Sequence, residues 1–424
     1  MFSRLKSFQI RFFNKIINSI AFYPTTVAVG LLLLSVALLN IDGAGMKKIL
    51  DNHMPYLVIN NADTARVILS TLIGGVISLT VFSFSMVMVT LSQASANFSP
   101  RLLPGLISEK KNQFVLGVYL GTIIYNLIVL ISVLPSGKSY TLNVLSILVG
   151  ILLGVVCLGL FIYFIHNISS SIQIKNILYK IHKKTKISIN RLCEQGQDIE
   201  PIPDDILEKW ITVYSTKSGY YQGFNKEELL KMCDENSFDI VIDVHIGQFI
   251  MPKFSVMRIS KIIDQEKVEA ILDHLYLNDQ NDMMSHYIFG IDQITEVGVR
   301  AMSPGINDPA TALITLDYLS VLFCERMKVQ DYHIHISKNK SYKIQENRAM
   351  FCNLLNNCFA AYRVYVKHDL IVMKKLQSIL QHLKIQDYQD ASYIRCIEKQ
   401  IDSLNIDANA NIKNKHDLDK FMNF

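Results

Sequence analysis

Four apolar runs, at 22–40, 65–91, 113–134 and 142–165, each reach the roughly 20 residues that a helix needs to cross a hydrocarbon core about 30 Å thick. In lipid every backbone polar group must be satisfied within the segment, so runs of this length are constrained to be helices. The composition agrees: 19% of residues are charged, against about 25% in an average soluble domain, and the mean hydropathy is +0.24. The first run follows a basic tail holding Arg4, Lys6, Arg11 and Lys15. It is longer than the roughly 7–15 apolar residues of a signal peptide and lacks a clear small-x-small cleavage motif, so it is expected to remain as a span.

Orientation follows from the basic residues beside the spans, which are retained on the cytoplasmic side. The tail, the 92–112 connection and the stretch after span four carry 13 Lys and Arg, whereas the other side carries four, Lys47, Lys48, Arg66 and Lys138. Both termini are therefore expected in the cytoplasm, with Asp51 and Lys138 on the opposite side of a bacterial inner membrane.

No Asp, Glu, Lys or Arg lies between Val67 and Leu91, between Gln113 and Leu134, or between Leu142 and Ile165. Intramembrane charges mark proton relays and charge-coupled pumps, so their absence argues against that kind of transporter. Span two instead repeats a hydroxyl every seven residues, at Thr64, Thr71, Ser78, Ser85, Ser92 and Ser99, a step that drifts only about 20° on a straight helix. Such a stripe is either a close helix-packing seam or the lining of a hydrated path in a homo-oligomer, with Thr71, Ser78, Ser85 and Ser92 along it. Spans three and four each hold a GxxxG, Gly117 to Gly121 and Gly150 to Gly154, which favours close helix pairing. Span two is unbroken by proline from Ala65 to Asn97, so it is expected to project beyond the bilayer until Pro100.

The run Ser92-Gln93-Ala94-Ser95-Ala96-Asn97-Phe98-Ser99-Pro100-Arg101, then Asn112-Gln113 and Leu116-Gly117-Val118-Tyr119-Leu120-Gly121, and finally Arg300-Ala301-Met302-Ser303-Pro304-Gly305-Ile306-Asn307-Asp308-Pro309, resembles the bacterial predicted membrane proteins grouped as domain of unknown function 2254. With Ser218-Gly219-Tyr220 and Gly247-Gln248-Phe249, the resemblance runs over nearly the whole chain. It implies a multi-pass inner-membrane protein with a large cytoplasmic portion, and no substrate.

The fold expected is an α-helical membrane domain of four spans over 1–165, followed by a cytoplasmic α+β region. Residues 166–210 read as a basic membrane-proximal helical linker and 211–260 as a small mixed α/β module. Residues 261–410 read as a mainly helical domain, with helices at 261–277, 284–301, 311–327, 345–383 and 388–404, and 411–424 as a mobile polar tail. In the signature loop, Asn307 or Asp308 suits a helix cap with Pro309 in the first turn. The same loop could instead form a polar site from Arg300, Ser303, Asn307 and Asp308.

HExxH, the Walker A loop, GxSxG and GxGxxG are all absent from the sequence, which excludes the common hydrolase and nucleotide signatures and points away from an enzyme or a cofactor. A net charge of +5 over 424 residues gives no reason to expect nucleic acid. Asp331-x-His333-x-His335 would place three metal-capable side chains on one face of a strand, but alternating Tyr332, Ile334 and Ile336 explain it as a half-buried strand, so no metal is expected. Seven cysteines without a CxxC suggest free thiols in a reducing compartment. Cys352 and Cys358 read as buried apolar positions.

Overall fold

The structure is a computed structural model that describes residues 21–42, 59, 61–97, 110–133, 143–171, 173–195, 199–279, 286–337, 341–386 and 390–423. Ser99, Pro100, Arg101, Asp51 and Lys138 lie outside the described residues. The chain divides into two compact units, residues 1–176 and 177–424, rather than at the end of the fourth apolar run.

The first unit holds α1 (Phe22–Ile41), α2 (Ala62–Asn97), α3 (Lys110–Ser132) and α4 (Val144–Ser171). All four are long and apolar enough to cross a membrane. At 1.5 Å per residue the 36 residues of α2 extend about 54 Å, well past the hydrocarbon core. Helix α3 packs against each of the other three and buries Tyr119, Tyr125 and Val129. The GxxxG glycines sit at crossings within this one chain. A Cβ on Gly117 would meet Pro24 and Val27, one on Gly121 would meet Ala28 and Leu31, one on Gly150 would meet Asn126, and one on Gly154 would meet Leu72. Close backbone approach is what these positions supply. A polar clamp closes one end of the unit. Asp42, just after α1, accepts hydrogen bonds from the Ser146 backbone N–H at 2.8 Å and the Ser146 hydroxyl at 3.0 Å. The Tyr125 hydroxyl donates to the Ser146 carbonyl at 2.9 Å. The first turn of α4 thereby gains a carboxylate where its free N–H groups need one.

The second unit begins with α5 (Ile174–Glu194), most of which belongs to it, and the short α6 (Asp204–Leu207). Strands β1 (Ile211–Tyr214), β2 (Gly219–Phe224), β3 (Ile240–Ile242), β4 (Phe249–Ile250), β5 (Ser255–Ile259) and β6 (Leu275–Asn278) follow, with α7 (Lys226–Asn236) and α8 (Gln265–Asp273) between them. Then come α9 (Tyr287–Ala301), α10 (Pro309–Met327), β7 (Tyr332–Ile336), β8 (Lys343–Asn347), α11 (Phe351–Val366), α12 (Leu370–Lys384), α13 (Ser392–Asn411) and α14 (Lys415–Met422). One sheet runs β1-β5-β3-β8-β7 and a second runs β4-β2-β6. In the larger sheet β3 pairs parallel to β8, Ile240 opposite Ile344, while its other pairs are antiparallel. Because β3 and β8 share a sheet, the 211–260 module and the later residues form one folded unit.

Several expected boundaries move. The 261–277 helix stops at Asp273, and Leu275–Asn278 pairs with β2 instead, because Leu275 has an apolar core to enter. The 345–383 helix resolves into a strand and two helices. Asp369 breaks it by accepting from the N–H groups of Ile371 and Val372, both at 3.0 Å. The 411–424 tail is a helix over Lys415–Met422, docked through the fully buried Phe421, whose carbonyl accepts from Gln377. The cysteine expectation is corrected as well. Cys352 on α11 is bonded to Cys396 on α13, with Cα atoms 5.6 Å apart and a separation of 44 in sequence. Their partnership spans two helices, which spacing along one helix could not reveal.

Candidate functional site

The hydroxyl stripe of α2 does not face the interior of its own unit. Thr71, Ser78, Ser85 and Ser92 are all exposed, while Ala65, Leu69, Val76, Thr80 and Ser83 carry the helix's buried side. Thr71 donates to the Val67 carbonyl at 2.7 Å and Ser78 to that of Gly74 at 2.9 Å. The same face carries Gly74 and Gly75, where an added Cβ would meet nothing within 4 Å. The stripe is thus not a seam between helices of one chain. It is an outward surface of small and hydroxyl side chains. Interior polar groups that the stripe gave no hint of lie on α3 and α4: Asn167 donates to Asn112 at 2.7 Å and Asn126 donates to the Thr122 carbonyl at 3.0 Å.

The signature loop at 303–309 is a helix corner. Asp308 accepts from the Thr311 N–H at 3.1 Å and its hydroxyl at 2.5 Å, capping α10, and Pro309 fills the first helical position. The Asn307 N–H reaches the Ser303 carbonyl at 3.0 Å, and Asn307 sits at φ 49°, a left-handed conformation that asparagine tolerates better than most residues. Pro304, Gly305 and Asn307 are exposed, Ser303 is half-buried, and Arg300 ends α9 with a partner of its own.

In the second unit a cavity of about 150 Å³ is lined by His286, Tyr287, His333, His335, Glu346 and Arg348, together with apolar and amide neighbours. Its ionisable groups come from β7, β8 and the start of α9, while Leu192 near the end of α5 and Gln195 just after it complete the wall. On β7 the i, i+2 period puts His333 and His335 on one face, their rings 4.5 Å apart. On β8 Glu346 stands opposite His333 in register and lies 3.0 Å from His335 Nε2. The N-terminus of α9 supplies His286 as its cap residue, with no side-chain capping bond and no acidic residue in its first turn. Burial, then the nearby His245, pulls the His286 imidazole down to about 4. Burial, then His335 and Arg348, does the same to His333, also to about 4. Both are neutral at physiological pH. Burial also lowers the Arg348 guanidinium from its usual range. Two polar atoms of these residues, Tyr287 Oη and His335 Nδ1, are buried without a hydrogen-bond partner among the described residues.

Asp331 does not join the two histidines. It pairs with the fully buried Arg326, accepts from the Tyr393 hydroxyl at 3.0 Å and from the Phe351 N–H at 3.1 Å. Arg326 also donates to the carbonyls of Val329 at 2.6 Å and Ala349 at 2.7 Å. Asp331 is therefore the counter-ion of a buried arginine, and among the described residues no three His, Cys, Asp or Glu side chains form a metal-binding group. His286, Glu346 and Arg348 were invisible as site residues because they meet only through the fold. Their sole sequence signal was the alternation around His333 and His335.

Residues 17–382 match the family described as predicted membrane protein, domain of unknown function 2254. The chain belongs to this family. Uncharacterised proteins of Mycobacterium bovis and of Mycobacterium tuberculosis are 23% identical over 251 residues, 56% of this chain. The match spans 48% of the length of those relatives. No solved structure matches.

Proposed function

We propose that this family member is a homo-oligomeric bacterial inner-membrane protein with the character of a gated pore, in which the outward face of α2 meets its copies around an axis. The observation that carries the proposal is the exposure of Thr71, Ser78, Ser85 and Ser92 beside the open Gly74 and Gly75. Small residues let helices of neighbouring copies approach closely, and hydroxyls at an axis can replace part of an ion's water shell. The partners are the bilayer and further copies of the chain; no catalysis, cofactor or nucleic acid enters. Reconstitution into liposomes with an ion-flux assay tests it, and sustained absence of flux from folded protein counts against it.

The second reading is a membrane-anchored sensor or scaffold, whose spans only pack and whose second unit binds a small ligand or a partner. The ionisable cavity between α9, β7 and β8 favours it. Flux separates the two.

The bias of 13 basic residues against four supports a cytoplasmic position for both termini. The Cys352–Cys396 bond pulls the other way, since disulfides persist mainly in oxidising compartments. Labelling of a cysteine introduced at Lys138 in intact cells decides between them. Labelling only after permeabilisation overturns the cytoplasmic placement.

A further inference from the structure

We infer that the exposed face of α5 is a docking surface for anionic phospholipid headgroups, held by Lys183, Lys184 and Arg191 with Ile187 set among them. The inference is independent of any pore along α2 and of which side of the membrane the second unit occupies.

The charge is already present in the sequence. Residues 175–191 carry Lys175, Lys180, Lys183, Lys184, Lys186 and Arg191 and no Asp or Glu, so this one stretch holds more positive charge than the net +5 of the whole chain. The fold then sorts the helix into two sides. Ile177, Leu178, Thr185 and Ile189 are buried, with Thr185 against Gly290 of α9, and His182 stacks on Tyr318 of α10. Lys186, beside that packed side, is bridged to Glu325 at 3.1 Å. Lys183, Lys184, Ile187 and Arg191 are all exposed. Their spacing of i, i+1, i+4 and i+8 puts them on one face of a helix, opposite the buried one. Lys180 lies on the same face, and the 53% exposed Tyr179 flanks it. The first carboxylate of α5 is its last residue, Glu194. Lys183, Lys184 and Arg191 form no ion pair among the described residues.

Two observations choose lipid over an acidic protein. Helix α4 is long and apolar enough to cross a membrane and ends at Ser171, and α5 begins at Ile174. Three Cα steps of about 3.8 Å keep the start of α5 within about 11 Å of the end of α4, so the chain itself delivers the bases to the headgroup layer. The second observation is Ile187, 44% exposed in the midst of the cations. Lys and Arg there meet lipid phosphates while an apolar side chain between them enters the acyl boundary. Each base at an anionic surface is worth about fivefold in binding, so removing three weakens docking on the order of 100-fold.

The test places an environment-sensitive fluorophore on Ile187→Cys, in the full chain with Cys193 and Cys324 replaced by serine. The protein is reconstituted in nanodiscs of phosphatidylcholine alone or with about one-third phosphatidylglycerol. Emission is expected to brighten and move to the blue in the anionic discs and to revert at about 0.5 M salt, where the screening length falls to about 4 Å. Combining Lys183→Gln, Lys184→Gln and Arg191→Gln should abolish the lipid response without lowering the unfolding midpoint read from Trp210. The salt titration of the parent decides the matter if that variant fails to fold. Emission that ignores phosphatidylglycerol overturns the proposal, and a response to soluble polyglutamate in its place would assign the face to an acidic protein. A lipid response that survives both the three substitutions and high salt overturns it equally.

Discussion

Replacing Cys396 with serine opens the covalent link between α11 and α13, and its cost can be worked from the loop it closes. Cys352 and Cys396 are 44 residues apart. Tying the ends of a loop that long lowers the entropy of the unfolded chain by an amount worth about 4 kcal/mol at 25 °C. The loop carries α12, whose Leu376, Leu380 and Leu383 are buried, so its ends are also held by packing in the native state. The assay is urea unfolding followed by the fluorescence of Trp210. It is the single tryptophan of the chain, and it packs against Ile202, Leu207 and Val241 in the second unit. With a denaturant slope of about 2–3 kcal/mol per molar, a loss of that size lowers the midpoint by roughly 1.3–2 M. Reductant should shift the parent by the same amount and leave Cys396→Ser where it is. A parent midpoint that is insensitive to reductant and identical to that of Cys396→Ser would refute the pairing.

Gly298→Ala pushes a Cβ into the Tyr362 and Thr315 hydroxyls, which share a 2.7 Å hydrogen bond, so a loss of about 1–3 kcal/mol is expected in the same unfolding assay. Asp308→Ala removes the cap of α10 and should cost about 1 kcal/mol, whereas Gly305→Ala, with nothing within 4 Å of its Cβ, should be nearly silent. Gly121→Leu should disrupt the folding of the first unit, since its side chain meets Ala28 and Leu31, and Leu120→Ala, at a 38% exposed position, should be mild by thermal melting in detergent. The pH dependence follows from His286 and His333, each pulled to about 4 by burial. The unfolded chain binds more protons than the native one between that value and the ordinary imidazole range, so stability falls as pH drops from about 6.5 towards 4. His333→Gln should flatten that slope in urea midpoints of Trp210 fluorescence.

The spans were legible because lipid imposes a minimum length and tolerates few charges, and the apolar runs meet both conditions. Helix caps are local: in α7 Asn225 accepts from the Glu228 N–H at 3.4 Å, three residues away. The corner at Asp308 and Pro309 was legible in the same way. What failed was non-local. Leu275–Leu277 reads as the end of a helix until β2 is beside it, and Gln345–Asn347 reads as the start of one until β3 and β7 flank it. The stripe's period was clear from the sequence, but whether it faced in or out depended on which side of α2 the other three helices chose. The cavity was least legible, because His286, His333 and Arg348 come from three elements that only the second unit's packing brings together.

The central claim is that the hydroxyl face of α2 lies against water at an oligomer axis, and thiol accessibility tests it most directly. Cysteines are placed one at a time at positions 71, 78 and 85, and for comparison at Ile77 and Phe84, which are 44% and 50% exposed but about 100° away around the helix. The background replaces Cys193 and Cys324 with serine, since the remaining cysteines are buried or bonded. A small membrane-impermeant thiol reagent is then applied to the reconstituted protein. Rapid labelling at 71, 78 and 85 with little at 77 and 84 is the predicted result. Labelling on the stripe no faster than at 77 and 84 would contradict a hydrated axis, even in a protein that proved oligomeric.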